Sequence, residues 1–126
     1  METTNVRYIV DDVDAAVGFY TEHLGFSVDF RPGPGFAIIA RGQLRLLLSE
    51  PTGPGGAAQA MPDGRVPEPG GWNRIQLVVE DLAARVAELR ARGAHFRNDL
   101  TTGRGGAQIL LEDPAGNPIE LFEPAP

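Results

Sequence analysis

The chain contains no cysteine. That absence removes disulfides, thiolate nucleophiles and every cysteine-based zinc site together. Histidine is scarce, with only His23 and His95, and no apolar run approaches the roughly 18 residues of a membrane-spanning helix. The opening METTNVRY lacks the basic and apolar stretches of a secretory signal, so a cytoplasmic protein without membrane contact is expected. No Gly-x-Ser-x-Gly elbow and no phosphate-binding loop occurs, which excludes the common serine hydrolase and nucleotide-binding signatures. Positive charge is also in deficit. A formal net charge of −6 argues against non-specific nucleic-acid binding.

What is present is a repeat. Residues 6–25 read VRYIVDDVDAAVGFYTEHLG and residues 75–93 read IQLVVEDLAARVAELRARG. Each predicts a short β-branched strand ending in an acidic pair, then an amphipathic helix stopped by glycine. Val6 and Ile75 lie 69 positions apart, as do Asp12 and Asp81, and the tails LLLSEP and IELFEP also match. A duplicated unit commonly packs its copies about a pseudo-twofold axis and leaves a cavity between them. At 126 residues with 42% hydrophobic content, the chain fits one soluble globular domain able to bury about two-thirds of its unfolded surface.

Periodicity places the elements. Val13, Val17, Tyr20 and Leu24 recur at helical spacing between an Asp12 cap and the Gly25 stop; Leu82, Val86 and Leu89 do so between Asp81 and Gly93. Glu88 and Arg92 form an i,i+4 pair on the solvated side of the second helix. Further strands are predicted at 27–31, 36–41, 44–50, 95–100, 106–112 and 118–122, with turns at Arg41-Gly42-Gln43 and Asp113-Pro114-Ala115-Gly116-Asn117. Each half then reads β-α-β-β-β: module one at 1–50, module two at 72–126. Between them, residues 51–71 carry six glycines and five prolines without an apolar period. This segment is either a flexible tether or a lid that uses Met61, Val66 and Trp72 as apolar contacts.

The doubled β-α-β-β-β order, with FYTEHLGF in the first helix and EDPAGNPIELFEP at the end, resembles the vicinal oxygen chelate superfamily of glyoxalase I, extradiol dioxygenases, fosfomycin resistance enzymes and bleomycin resistance proteins. The resemblance spans essentially the whole chain. It implies an α+β fold in which two βαβββ modules form a cupped mixed sheet, with helices outside and ligand inside. Metal-dependent members place ligands on the first and last strand of each half. Carried over by spacing from the capping acids and the terminal Glu-Pro pairs, those positions fall on Asn5, Leu47, Arg74 and Glu120. Leucine cannot ligate, arginine has no free lone pair, and asparagine is a weak neutral donor. One carboxylate cannot offset the dehydration of a divalent ion, so neither metal nor cofactor is expected. His23, near a helix C-terminus, and His95, at a strand start, fall at no ligand position and are read as structural or surface groups.

Strand alternation then assigns faces. Val6, Tyr8 and Val10, Ile75, Leu77 and Val79, Leu44, Leu46 and Leu48, and Ile119 and Leu121 form apolar faces that must cover helices. The opposite faces carry Asn5, Arg7, Arg45, Leu47, Ser49, Arg74, Gln76, Glu120 and Phe122, with Trp72 expected at the rim. Such a lining suits a planar or polyoxygenated small molecule, unless Arg74 and Glu120 merely neutralise each other and Arg7 or Arg45 reaches solvent. Two functions follow. One is metal-independent sequestration of a cytotoxic aromatic natural product, the role of the metal-free, dimeric bleomycin-resistance branch that the chain resembles. The Ala-, Gly-, Pro- and Arg-rich composition suits an antibiotic-producing bacterium. The alternative is a metal-independent lyase or isomerase with Glu120 as general base and Arg74 stabilising an enolate. In either case the partners are a small molecule and a second copy of the chain.

Overall fold

The computed structural model describes residues 2–51 and 56–126. Its chain divides into two compact units, 1–70 and 71–126. Thr52 to Gly55, part of the predicted connecting segment, lie outside the described residues.

The first unit runs β1 (Val6–Ile9), α1 (Val13–His23), β2 (Ser27–Gly33), β3 (Phe36–Arg41) and β4 (Leu44–Ser49). Its sheet has the order β1-β4-β3-β2, parallel between β1 and β4 and antiparallel elsewhere. The helix begins where the Asp12 side chain accepts from the Ala15 N–H, and ends before Gly25, whose φ of 74° a side chain would resist. The predicted stripe of Val13, Val17, Tyr20 and Leu24 is buried, against Tyr8, Val10, Ala37, Ile39, Leu46 and Leu48 from the sheet. Tyr20 meets Phe19 and Phe26 edge-on, each at 5.3 Å between ring centroids.

The second unit runs β5 (Ile75–Val78), α2 (Leu82–Ala91), β6 (His95–Phe96), β7 (Thr101–Thr102), β8 (Gly106–Glu112) and β9 (Pro118–Pro124). Its sheet follows β5-β9-β8-β6, with β7 also on β8. Leu82, Val86 and Leu89 bury against Ile75, Leu77, Ile109, Leu111, Ile119 and Leu121. The two units repeat each other at atomic detail. Glu50 accepts from the Val13 N–H at the start of α1, and Glu123 from the Leu82 N–H at the start of α2. Register repeats too: Arg7 pairs with Leu47, and Gln76 with Glu120.

One predicted element needs correction. Of the strand expected over 95–100 only His95–Phe96 forms as β6, and a separate two-residue β7 follows at Thr101–Thr102, so the second unit is not a simple β-α-β-β-β copy. After Arg97 donates its N–H to Leu110, the Asn98 side chain, not a backbone carbonyl, takes the Leu110 N–H at 2.9 Å. A side-chain acceptor at that rung replaces the ladder bond and releases the backbone from pairing. In the connecting segment, Met61 and Val66 are exposed while Ala58 is buried. Among the described residues no helix is long and apolar enough to cross a membrane.

Candidate functional site

The chemistry-bearing side chains stand on the sheet faces turned away from the helices. In the first unit, Arg7 donates from Nη1 to Ser49 Oγ at 2.7 Å and lies 5.9 Å from the Phe36 ring centroid. Ser49 is buried and Phe36 is its rung partner on β3, and Arg7 reaches both from the adjacent rung, so a cation, a hydroxyl and an aromatic face meet there. Leu47 pairs with Ile38 on the same face. Arg45, farther along β4, is drawn aside by Asp29, with Nε to Oδ2 at 3.0 Å. Asn5 precedes the strand and is exposed. The structure thus brings Arg7 and Ser49 together and gives Arg45 a separate partner.

In the second unit, Glu120 is the centre. It is only 8% exposed, and a carboxylate taken out of water needs charged or polar donors. Arg74 supplies two to Oε1, from Nε at 3.1 Å and Nη2 at 2.9 Å, and Gln76 supplies Nε2 to Oε2 at 2.6 Å. Arg74 also donates from Nη1 to the Trp72 carbonyl at 3.3 Å. Phe122 continues the face one pleat on, opposite Gln108. The Arg74–Glu120 pairing weighed as the alternative to a ligand lining is present, within a three-residue cluster that has Gln76 as its third member.

Trp72 stands at the surface of the second unit. Its side chain is 70% exposed, with the Arg97 guanidinium 4.8 Å from the ring centroid. Arg97 is itself held on all sides, donating to Glu112 Oε2 at 2.7 Å, Gly71 O at 2.8 Å and Gly116 O at 3.0 Å. Trp72, Arg97, His95 and Glu112 line an open depression of ≈ 460 Å³. Pairing places His95 opposite Glu112, and Leu110 opposite Glu120, so this cluster shares the Glu120 face. Arg97 and Glu112 are missing from the lining that the sequence predicts. Alternation across 95–100 and 106–112, applied as to the other strands, carries the signal for both.

The metal positions carried over from the resemblance do not fit a metal. Asn5 and Leu47 stand in the first unit, and in the second Arg74 puts its own cation against Glu120. Both Glu120 oxygens already face donors, and among the described residues no group of three histidine or acidic side chains is placed to hold an ion. No step is derived through one.

A model of the Glyoxalase/Bleomycin resistance protein/Dioxygenase superfamily matches residues 4–121. No curated protein matches the chain by sequence. A superfamily member from Sphaerobacter thermophilus DSM 20745 is 27% identical, with a TM-score of 0.76 over 98% of this chain and 97% of that one. TnmS3, an antibiotic binding protein from Streptomyces sp. CB03234, is 25% identical, with a TM-score of 0.74 over 99% and 97%. A lactoylglutathione lyase from Agrobacterium tumefaciens shares the fold at 21% identity and a TM-score of 0.72 over 97% and 92%.

Proposed function

The chain belongs to the Glyoxalase/Bleomycin resistance protein/Dioxygenase superfamily, and from that premise we propose that it binds and sequesters a small aromatic natural product without metal and without turnover. The observation that carries this reading is the state of Glu120. A general base must offer a lone pair to substrate, and here three of the carboxylate's roughly four acceptor sites are taken by Arg74 and Gln76, with the Arg74 cation against its charge. Glu120 acts as an anchor that orients donors toward a ligand. Likeness to an antibiotic binding protein at 25% identity supports the same class of ligand.

Taken unit by unit, the candidate ligand contacts are Trp72, Arg74, Gln76 and Phe122 in the second unit and, as a separate set, Arg7 and Ser49 in the first. The working form is a cytoplasmic homodimer. A thermal-shift screen of aromatic antibiotics, simple 2-oxo acids and divalent metals tests it. A ligand that binds only the folded state stabilises by about 2.7 kcal/mol at 100-fold over its Kd. An aromatic antibiotic giving such a shift supports sequestration. Stabilisation by micromolar Ni²⁺ or Zn²⁺, or multiple turnover of a 2-oxo acid, overturns it.

A further inference from the structure

We infer that the outer face of the Trp72 indole and the uncommitted N–H groups of Arg74 form one recognition unit for a planar aromatic oxyanion, such as an aryl sulfonate, carboxylate or phenolate. The inference rests on the binding reading above and adds the chemical class of its ligand. An indole 70% exposed is a large apolar surface left in water. It is also fixed: the guanidinium behind it, 4.8 Å from the ring centroid, has each of its three nitrogens donating to a protein oxygen. A ring so held offers its second face for stacking at little further cost in ordering.

Charge decides what stacks there. Arg97 already occupies the inner face, so a cationic ring on the outer face would meet a like charge through the indole. The two carboxylates of this sheet face that could repel an anion are consumed, Glu112 by Arg97 and Glu120 by Arg74. Arg74 is anchored against the Trp72 backbone carbonyl. Among the described residues three of its N–H groups are used, on Glu120 twice and Trp72 once. A guanidinium has five, which leaves two charge-assisted donors on the side chain that meets the Trp72 backbone carbonyl. A flat ring on Trp72 with an in-plane oxyanion satisfies both features, whereas a cation or an aliphatic anion satisfies at most one.

The test titrates the intact protein with anthraquinone-2-sulfonate, following emission of Trp72, the only tryptophan, beside calorimetry. Proflavine serves as the cationic planar control and methanesulfonate as the non-aromatic anion. Saturable quenching is expected from the aryl sulfonate alone. Trp72→Phe should keep its affinity within about threefold, and Trp72→Ala should weaken it at least about tenfold. The position is exposed, so both variants should fold; their melting transitions verify this. No saturable binding of the aryl sulfonate, equal binding of proflavine, or unchanged affinity in Trp72→Ala overturns the inference. A compound from the thermal-shift screen that stabilises wild type and Trp72→Ala alike leaves sequestration standing and removes the platform. An aryl sulfonate that is turned over while quenching Trp72 does the reverse.

Discussion

Arg74, Gln76 and Glu120 are coupled so tightly that single substitutions should have unequal consequences. Glu120→Gln keeps shape and polarity. In the sequestration reading it should lower affinity by no more than about 1–3 kcal/mol, the range of a charge-assisted hydrogen bond. A role as general base predicts instead a loss of roughly 100-fold or more in kcat with binding near normal. Arg74→Gln should hurt folding more. Glu120 is 8% exposed, and removing the cation strands a nearly buried carboxylate at a cost of about 3 kcal/mol. Urea unfolding of both variants beside wild type checks the order: equal midpoints in the two variants would overturn it, and midpoints both equal to wild type would mean that the Arg74–Glu120 pair contributes nothing net.

Each helix is started by the same two-part device, an aspartate N-cap and a glutamate from the end of the last strand. Asp12 and Glu50 serve α1; Asp81 and Glu123 serve α2. The glutamate ties the helix N-terminus to the strand that carries the site, so Glu123→Ala should destabilise by about 1 kcal/mol through loss of a cap and of a charge at the dipole. The matching Glu50→Ala should do the same, and a shift in only one would show that the repeats differ in energy despite their shared geometry. Asp81 already marks one asymmetry: its φ is 49°, against −143° at Asp12. A stronger constraint lies at Gly106, where β8 begins. Its φ is 150°, and an added Cβ would sit 2.1 Å from the Glu123 carbonyl oxygen. Gly106→Ala should therefore push β9 away from β8 and cost about 1–3 kcal/mol or more, read as a lower melting temperature.

Among the described residues, β2 pairs only with β3 and β6 only with β8. Unpaired strand edges invite association or cover. Together with the exposed Val28, Phe30 and Val78, they support the proposed homodimer. Light scattering at micromolar concentration should give twice the mass of the chain, and a strictly monomeric species would count against it. With a net charge of −6, the protein should also leave duplex DNA unshifted in a gel at physiological salt.

Much of the architecture is legible in the sequence because its causes are local. A side-chain period of two and a helical period of 3.6 need only the order of residues, so alternation assigns the helix-facing sides of β1, β4, β5 and β9 correctly. The repeat is visible because both copies retain the capping acids and the Glu-Pro tails. Pairing across the sheet has no such local code. Gln76 joins Arg74 on Glu120 only because β5 and β9 run parallel in a register that sets Gln76 opposite Glu120. Asn98 ends a predicted strand because its side chain reaches a backbone N–H twelve residues away. Arg97, just past the two-residue β6, reaches Trp72 and Glu112 only because the chain there lies along β8, so alternation gives its face but not its partners. Sequence by itself determined which side chains share a face, since that depends on alternation along one strand. Tertiary structure alone decided which of them touch, since hydrogen bonds and stacking depend on register and reach between strands far apart in the chain.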